Sequence, residues 1–319
     1  MSFLALTLSM PILVECVPNF SEGRDPLKVE RIARMIGSVA GVHLLDTHMD
    51  PDHNRSVITF VGPPTGVEEA AVRAAGEAMS LIDLNCHCGE HPRIGATDVI
   101  PFVPLEGVTL SDCAAIAHRT GKQLWDRYQI PVYFYEAAAL LPDRENLASI
   151  RRGGFEKLKA IIAADPSRRP DVGEPRLHPT AGATAVGARK VLIAFNVNLG
   201  TNDLGIARAI ARTVRASGGG LAAVKALGVL LQSRSMGGEP GQAQVSMNLT
   251  DWEQTSVRKA FETVEREAAR LGVAVHSSEL VGLVPAGALE GTTAAALRLA
   301  GFGPHKILEN RLADTLGNQ

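Results

Sequence analysis

Cysteine is scarce in this 319-residue chain: there are four, Cys16, Cys86, Cys88 and Cys113, at irregular spacing. That excludes the disulfide framework of a small secreted domain and fits a reducing, cytoplasmic setting. Charge of either sign is not in surplus. The 32 Lys and Arg against 34 Asp and Glu leave a formal charge of -2, and the pI is near 6.5. With no long basic run, an electrostatic nucleic-acid binder is excluded, because its affinity would come from neutralising phosphates. Small molecules are the expected partners. No apolar run is long enough to span a bilayer. Residues 1–11 are mildly apolar without a basic leader, and are expected to form a loosely packed extension and not a signal peptide. Neither GxGxxG nor GxxxxGK[ST] lies between a strand and a helix, which removes two common nucleotide-binding motifs.

What is present reads as two halves of an ordinary globular chain. An apolar strand over 12–17 leads to a helix over 25–39, where Ile32, Met35, Ile36 and Val39 recur at three and four and Asp25-Pro26 supplies a cap and first-turn proline. Strands over 42–47 and 56–61, an alanine-rich helix over 66–83, a strand over 99–103, a helix from Ser111-Asp112 to Tyr128 and a strand over 132–135 follow. Residues 140–171 read as a connector of short helical pieces and loops, and Gly218-Gly219-Gly220 as a flexible connection. From Lys190 the order is plainer: strand 191–199, helix 204–216, strands 224–231 and 243–249, helix 256–271, strand 273–277. That is βαββαβ, the split ferredoxin-like order. The expectation is an α+β fold of two ferredoxin-like subdomains with a groove between them, preferred over a doubly wound parallel sheet. The domains are expected at 12–189 and 190–300, with a C-terminal tail over 301–319.

Four segments could carry chemistry. The richest runs Asn85-Cys86-His87-Cys88-Gly89-Glu90-His91-Pro92-Arg93-Ile94-Gly95-Ala96-Thr97-Asp98. His91 lies between glycine and proline neighbours that forbid a regular helix, and a histidine on a rigid loop, oriented by Glu90 or Asp98, can act as general acid or base. It can equally be a loop histidine bonded to backbone. A zinc site from Cys86, His87, Cys88 and His91 is the rival, but the cysteines are spaced CxC and no second pair follows. The second segment, Val17-Pro18-Asn19-Phe20-Ser21-Glu22-Gly23, ends the first strand as a turn or a pocket mouth. The third spans 48–55, either a polar hairpin loop or a place where Asn54 and Arg55 hold a carboxylate. The fourth, 173–190, is a linker or a glycine-rich approach to a flat ligand.

At these segments the chain resembles the glutamate formiminotransferase family. The resemblance rests on Val14-Glu15-Cys16-Val17-Pro18-Asn19-Phe20-Ser21-Glu22-Gly23, Asn54-Arg55, residues 60–64, Gly89-Glu90-His91-Pro92-Arg93-Ile94-Gly95-Ala96, residues 182–190 and residues 280–285, all in the same order.

The resemblance implies transfer of the formimino group from N-formimino-L-glutamate to N5 of tetrahydrofolate, a step of histidine breakdown, by a cytoplasmic homodimer with tetrahydrofolate as co-substrate and no metal. The family's catalytic histidine falls on His91. Its folate-contacting stretch falls on Gly173, Glu174, Pro175, Arg176, Leu177, His178, Pro179, Thr180, Ala181 and Gly182, where this chain is more charged over 174–178. A family acid falls on His48, with Asp46 nearby. The chemistry requires a group that takes a proton from N5 and gives one to the departing amine, for which His91 is the candidate and Glu90 or Asp98 its orienting acid. Asn19, Asn54, Arg55, Arg93 and Arg189 are the candidates to hold the substrates, the arginines for the two carboxylates. Vertebrate members carry a cyclodeaminase after this domain, which is not expected here. Formyl transfer from 5-formyltetrahydrofolate, hydrolysis of formiminoglutamate and folate binding without catalysis are the alternatives.

Overall fold

The computed structural model describes residues 12–51, 53–89, 92–232 and 237–317, so the extension expected over 1–11 lies outside the described residues. The chain divides after Arg189 into two compact units.

In the first unit, β1 (Leu13–Cys16) and β2 (Asn19–Phe20) are one line of chain broken at Val17-Pro18, and both lie between β4 (Arg55–Gly62) and β5 (Thr97–Glu106). β3 (His43–Asp50) pairs with the far side of β4. With α1 (Pro26–Gly37) and α2 (Pro64–Leu81) between strands, the start of the chain is βαββαβ, every pair antiparallel. Asp25 caps α1 by accepting from the amides of Leu27 and Lys28 (3.0 and 3.4 Å), as its position before a proline requires.

The unit then grows. α3 (Leu110–Tyr128) leads to β6 (Val132–Glu136), and β7 (Thr184–Ala188) inserts between β5 and β6, parallel to both. The cap of α3 is Thr109, in a reciprocal box with Asp112, two residues before the expected start. The alanines of α2, with Val29, Ile32 and Ile36 of α1 and Phe20, Phe60, Phe102 and Phe134 of the sheet, form the core on one face. The other face of the sheet packs Tyr133, Tyr135, Val99 and Ala185 against Ile150, Leu158 and Ile162. These come from or just follow α4 (Leu147–Ile150) and α5 (Gly154–Ile161), so the expected connector is a second layer of the unit. The glycine-rich stretch expected as a linker or ligand approach contains β7, buried along its whole length. A parallel strand covered on both faces has no polar alternation to reveal it.

The second unit has the expected order: β8 (Ile193–Leu199), α6 (Leu204–Val214), β9 (Val224–Leu230), β10 (Ala243–Leu249), α7 (Val257–Arg270), β11 (Val275–Val281). The sheet runs β11-β8-β10-β9, all antiparallel. Phe195, Val197, Ile210, Val214, Met247, Phe261 and Val264 form its core. Its opposite face carries a polar network: Asn196 and Gln244 donate to Glu279 (2.9 and 3.2 Å), Gln244 to Asn198 (2.9 Å) and Asn198 to Ser277 (3.0 Å). Residues expected as a tail carry α8 (Leu308–Leu316), tied to this unit where the Leu308 amide meets the Val284 carbonyl (2.9 Å) and Leu308 is buried.

Candidate active site

The described parts of three of the four segments converge at the strand ends of the first unit. The turn between β3 and β4 holds Asn54 with a left-handed φ of 47°, a conformation asparagine tolerates better than most residues. Its Oδ1 accepts from the Gly23 amide (3.0 Å) and its Nδ2 donates to the Cys88 carbonyl (3.0 Å), so one side chain joins the segment after β2 to the segment before β5. A side chain at Gly23 would bring its Cβ within 2.2 Å of the Asp50 carbonyl oxygen, so this crossing requires glycine. Ser21 completes the joint, donating from Oγ to the Gly95 carbonyl (2.7 Å). Glu22 is occupied locally: it accepts from the amides of Arg24 and Asp25 (2.9 and 3.0 Å) and pairs with Lys28 (3.2 Å).

The cleft above this joint is lined by Phe20, Ser21, His53, Asn54, Arg55, His87, Arg93 and Asp98. Arg55 donates to the Oδ1 of Asn19, and Asn19 in turn donates from Nδ2 to the Val17 carbonyl (2.9 Å). Burial and the neighbouring Arg151 charge push the Arg55 guanidinium down to about 10, while Asp98 and Asp50 oppose this. Asp98 is buried, 2 % exposed, and each of its oxygens has a partner. One accepts from the Ile94 amide (2.7 Å) and the other pairs with Arg151.

Arg93 and His87 are interlocked. Arg93 Nε donates to His87 Nδ1 (2.8 Å) and Nη2 to the His87 carbonyl (3.0 Å). His87 Nε2 lies 2.9 Å from the Asn54 carbonyl, which can only accept. The ring is therefore the Nε2–H tautomer with both nitrogens engaged. Burial, and after it the Arg93 charge, hold the His87 pKa below the usual histidine value. The remaining edge of Arg93 meets Glu156 of α5, Nη2 to Oε1 at 2.9 Å and Nη1 to Oε2 at 3.2 Å.

The fourth segment contributes only its end. Thr180 and Ala181 carbonyls accept from the Leu84 and Ala96 amides (2.9 and 2.8 Å), the Pro179 carbonyl accepts from Asn85 (3.0 Å), and Gly95 pairs with Gly182. Pro179 to Gly182 thus brace the loop that carries His87 and Arg93. Gly182 has φ of 72°, and a Cβ there would meet the Ile94 carbonyl oxygen at 2.2 Å. His178 turns inward, its Nδ1 accepting from the Ala181 amide (3.0 Å). Gly173 packs under the Trp125 ring, and Glu174 and Arg176 pair with each other at 2.7 Å on the surface. Neither these residues nor Pro175 and Leu177 line the cleft. Arg189 also stands elsewhere: its amide donates to the Phe102 carbonyl (3.0 Å), roughly 13 Å up β5 from Asp98 at a strand rise of about 3.3 Å per residue. Its charge acts on Glu15, whose carboxyl burial raises to about 7.

Glu90 and His91 lie outside the described residues. Arg151 and Glu156 were not among the expected site residues, and His87 was considered only as a zinc ligand. Arg151-Arg152 stood out only as part of a connector, and nothing in the local pattern connects either acid–arginine partner across more than 50 residues. A zinc site built on His87 would need a ring nitrogen that is already engaged. Among the described residues no group of three or more His, Cys, Asp and Glu side chains is arranged to hold a metal.

Known proteins match over nearly the whole chain. The formiminotransferase domain, N-terminal subdomain, matches residues 13–189, and the formiminotransferase domain matches residues 194–297. The chain is 44% identical over 304 residues to a protein of Streptococcus pyogenes named glutamate formimidoyltransferase, covering 95% of this chain and 99% of that one. It is 47% identical over 302 residues to a protein of the same name from Thermoplasma acidophilum, covering 94% and 97%. A formimidoyltransferase-cyclodeaminase of Mus musculus is 43% identical over 287 residues, which are 88% of this chain and 51% of that protein. The chain, with its two α+β units matched in order by the two parts of the domain, belongs to the formiminotransferase family.

Proposed function

We propose that this protein is a glutamate formimidoyltransferase, a one-carbon transferase that moves the formimino group from N-formimino-L-glutamate to N5 of tetrahydrofolate and releases L-glutamate. The observation that carries this reading for the site is the cleft itself: among the described residues that line it are Arg55 and Arg93, beside Asp98, which Arg151 pairs. Guanidinium groups suit a substrate with two carboxylates. His91 stands in sequence between His87 and Arg93, both of which line that cleft.

In this mechanism N5 of tetrahydrofolate attacks the amidine carbon of the donor. His91 takes the N5 proton as the tetrahedral intermediate forms, then delivers a proton to the glutamate nitrogen as the C–N bond breaks, since an amine leaves poorly unless protonated. Arg55 and Arg93 hold the donor carboxylates. Asn19 keeps Arg55 in place, and the brace from Pro179 to Gly182 is the part of the expected folate stretch nearest this loop. A cytoplasmic homodimer belongs to the same reading, and sedimentation of the purified protein would report the dimer.

The test is an assay with formiminoglutamate and tetrahydrofolate that detects 5-formiminotetrahydrofolate after acid conversion. His91→Ala is expected to leave the fold intact and lower turnover by about 10² or more, the contribution of a lost acid–base group. Activity within a few-fold of wild type would remove His91 from the mechanism.

A further inference from the structure

We propose that His87 is a positioning residue for the donor substrate: it fixes the Arg93 guanidinium so that its outer edge, held here by Glu156, receives a carboxylate of N-formimino-L-glutamate in place of Glu156. This rests on the transfer reading above. Three observations support it. Both ring nitrogens of His87 are engaged, Nε2 with the Asn54 carbonyl at 2.9 Å and Nδ1 with Arg93 Nε at 2.8 Å, so the ring ties Arg93 to the turn between β3 and β4. The His87 carbonyl takes a further Arg93 hydrogen at 3.0 Å, so the inner side of the guanidinium is fully committed. The outer edge already holds a carboxylate through both terminal nitrogens, and that carboxylate belongs to Glu156, whose side chain is 65 % exposed. An exposed acid held by a surface ion pair is worth little and is readily exchanged. A substrate carboxylate makes the same two-point contact.

Only a neutral His87 can hold Arg93, because a proton on Nδ1 would point a donor at a donor. Among the described residues the charged and titratable groups around it are Arg93, Arg24, Glu22 and Glu156, with His53, Arg55 and Asp98 along the same cleft. Burial and Arg93 favour the neutral ring, so the hold is present near and above pH 6.5 and is lost as the pH falls through the lowered pKa of His87.

The experiment compares wild type, His87→Ala and His87→Gln by steady-state kinetics with both substrates, with thermal melts to confirm folding. A glutamine amide can accept from Arg93 and donate to Asn54. His87→Ala is expected to raise KM for formiminoglutamate by about 10-fold or more, the loss of a hydrogen bond to a charged group, while KM for tetrahydrofolate stays within about twofold. His87→Gln is expected to recover most of the donor affinity and to remove the rise in donor KM expected of wild type as the pH falls through the lowered pKa of His87. Equal changes in both KM values, an unmoved donor KM in His87→Ala, or no recovery in His87→Gln would overturn the role of His87. Absence of turnover by wild type would instead remove the transfer reading and this inference with it.

Discussion

Asp98, Arg55, Arg93 and His87 show how single residues divide the work of the candidate site. Asp98 is committed to Arg151 and the Ile94 amide, Arg55 to Asn19, and Arg93 to His87 and Glu156. Asp98 therefore places the loop ahead of β5 and balances part of the arginine charge. Glu15 makes a separate prediction. Its carboxyl is 4 % exposed, and burial raises its pKa from 4.5 to about 7 against the lowering effect of Arg189. Because the folded pKa lies above the unfolded one, the protonated acid favours the fold: this contribution is complete below pH 4.5 and is lost as the pH rises through about 7. Glu15→Gln is expected to flatten that decline and to raise stability at pH 8 by up to about 3 kcal/mol. Urea titrations of both proteins at pH 5 and pH 8 would check this, and equal pH slopes would contradict it.

Among the elements, β7 separates what local pattern reveals from what it hides. Thr184–Ala188 has small residues, no alternation, a glycine before it at Gly182 and another inside it at Gly187, so it reads as a linker, yet it is the middle strand of a parallel trio. Its glycine is required by its neighbours: a Cβ at Gly187 would lie 2.5 Å from the Tyr135 ring and 2.6 Å from the Tyr135 carbonyl oxygen. Gly187→Val is expected to destabilise the first unit by about 3 kcal/mol or more through overpacking, visible as a lowered urea midpoint with an unchanged slope. A loss under 1 kcal/mol would mean the strand yields. α4 and α5 fall where short helical pieces were expected, but their place as a layer on the sheet was not, because they are short and only Ile150, Phe155 and Leu158 of the two are buried. By contrast α1, α6 and α7 put their apolar residues on one face at helical spacing, and each was expected within a few residues of where it lies.

At the scale of the molecule, the second unit has its own four-stranded sheet, two covering helices and a closed core. Residues 190–319 expressed alone are therefore expected to fold cooperatively, with dispersed amide resonances and a single sigmoidal urea transition. A molten fragment without a transition would show that its core depends on residues before Lys190. The candidate site was partly legible because the loop between α2 and β5 is too polar and too broken by glycine and proline to be anything but a functional or structural joint. Arg93 could be picked out there, and Asn54 and Arg55 at the turn between β3 and β4, by residue type alone. What the amino-acid order determined by itself was the βαββαβ alternation, the Asp25 cap of α1 and the identity of the polar loop, since these depend on neighbours within a turn or a strand. Only tertiary structure decided that β7 belongs inside the sheet, that Asp98 answers to Arg151, and that Glu156 meets Arg93, because those partners meet through sheet pairing and side-chain contact across distances no local period records.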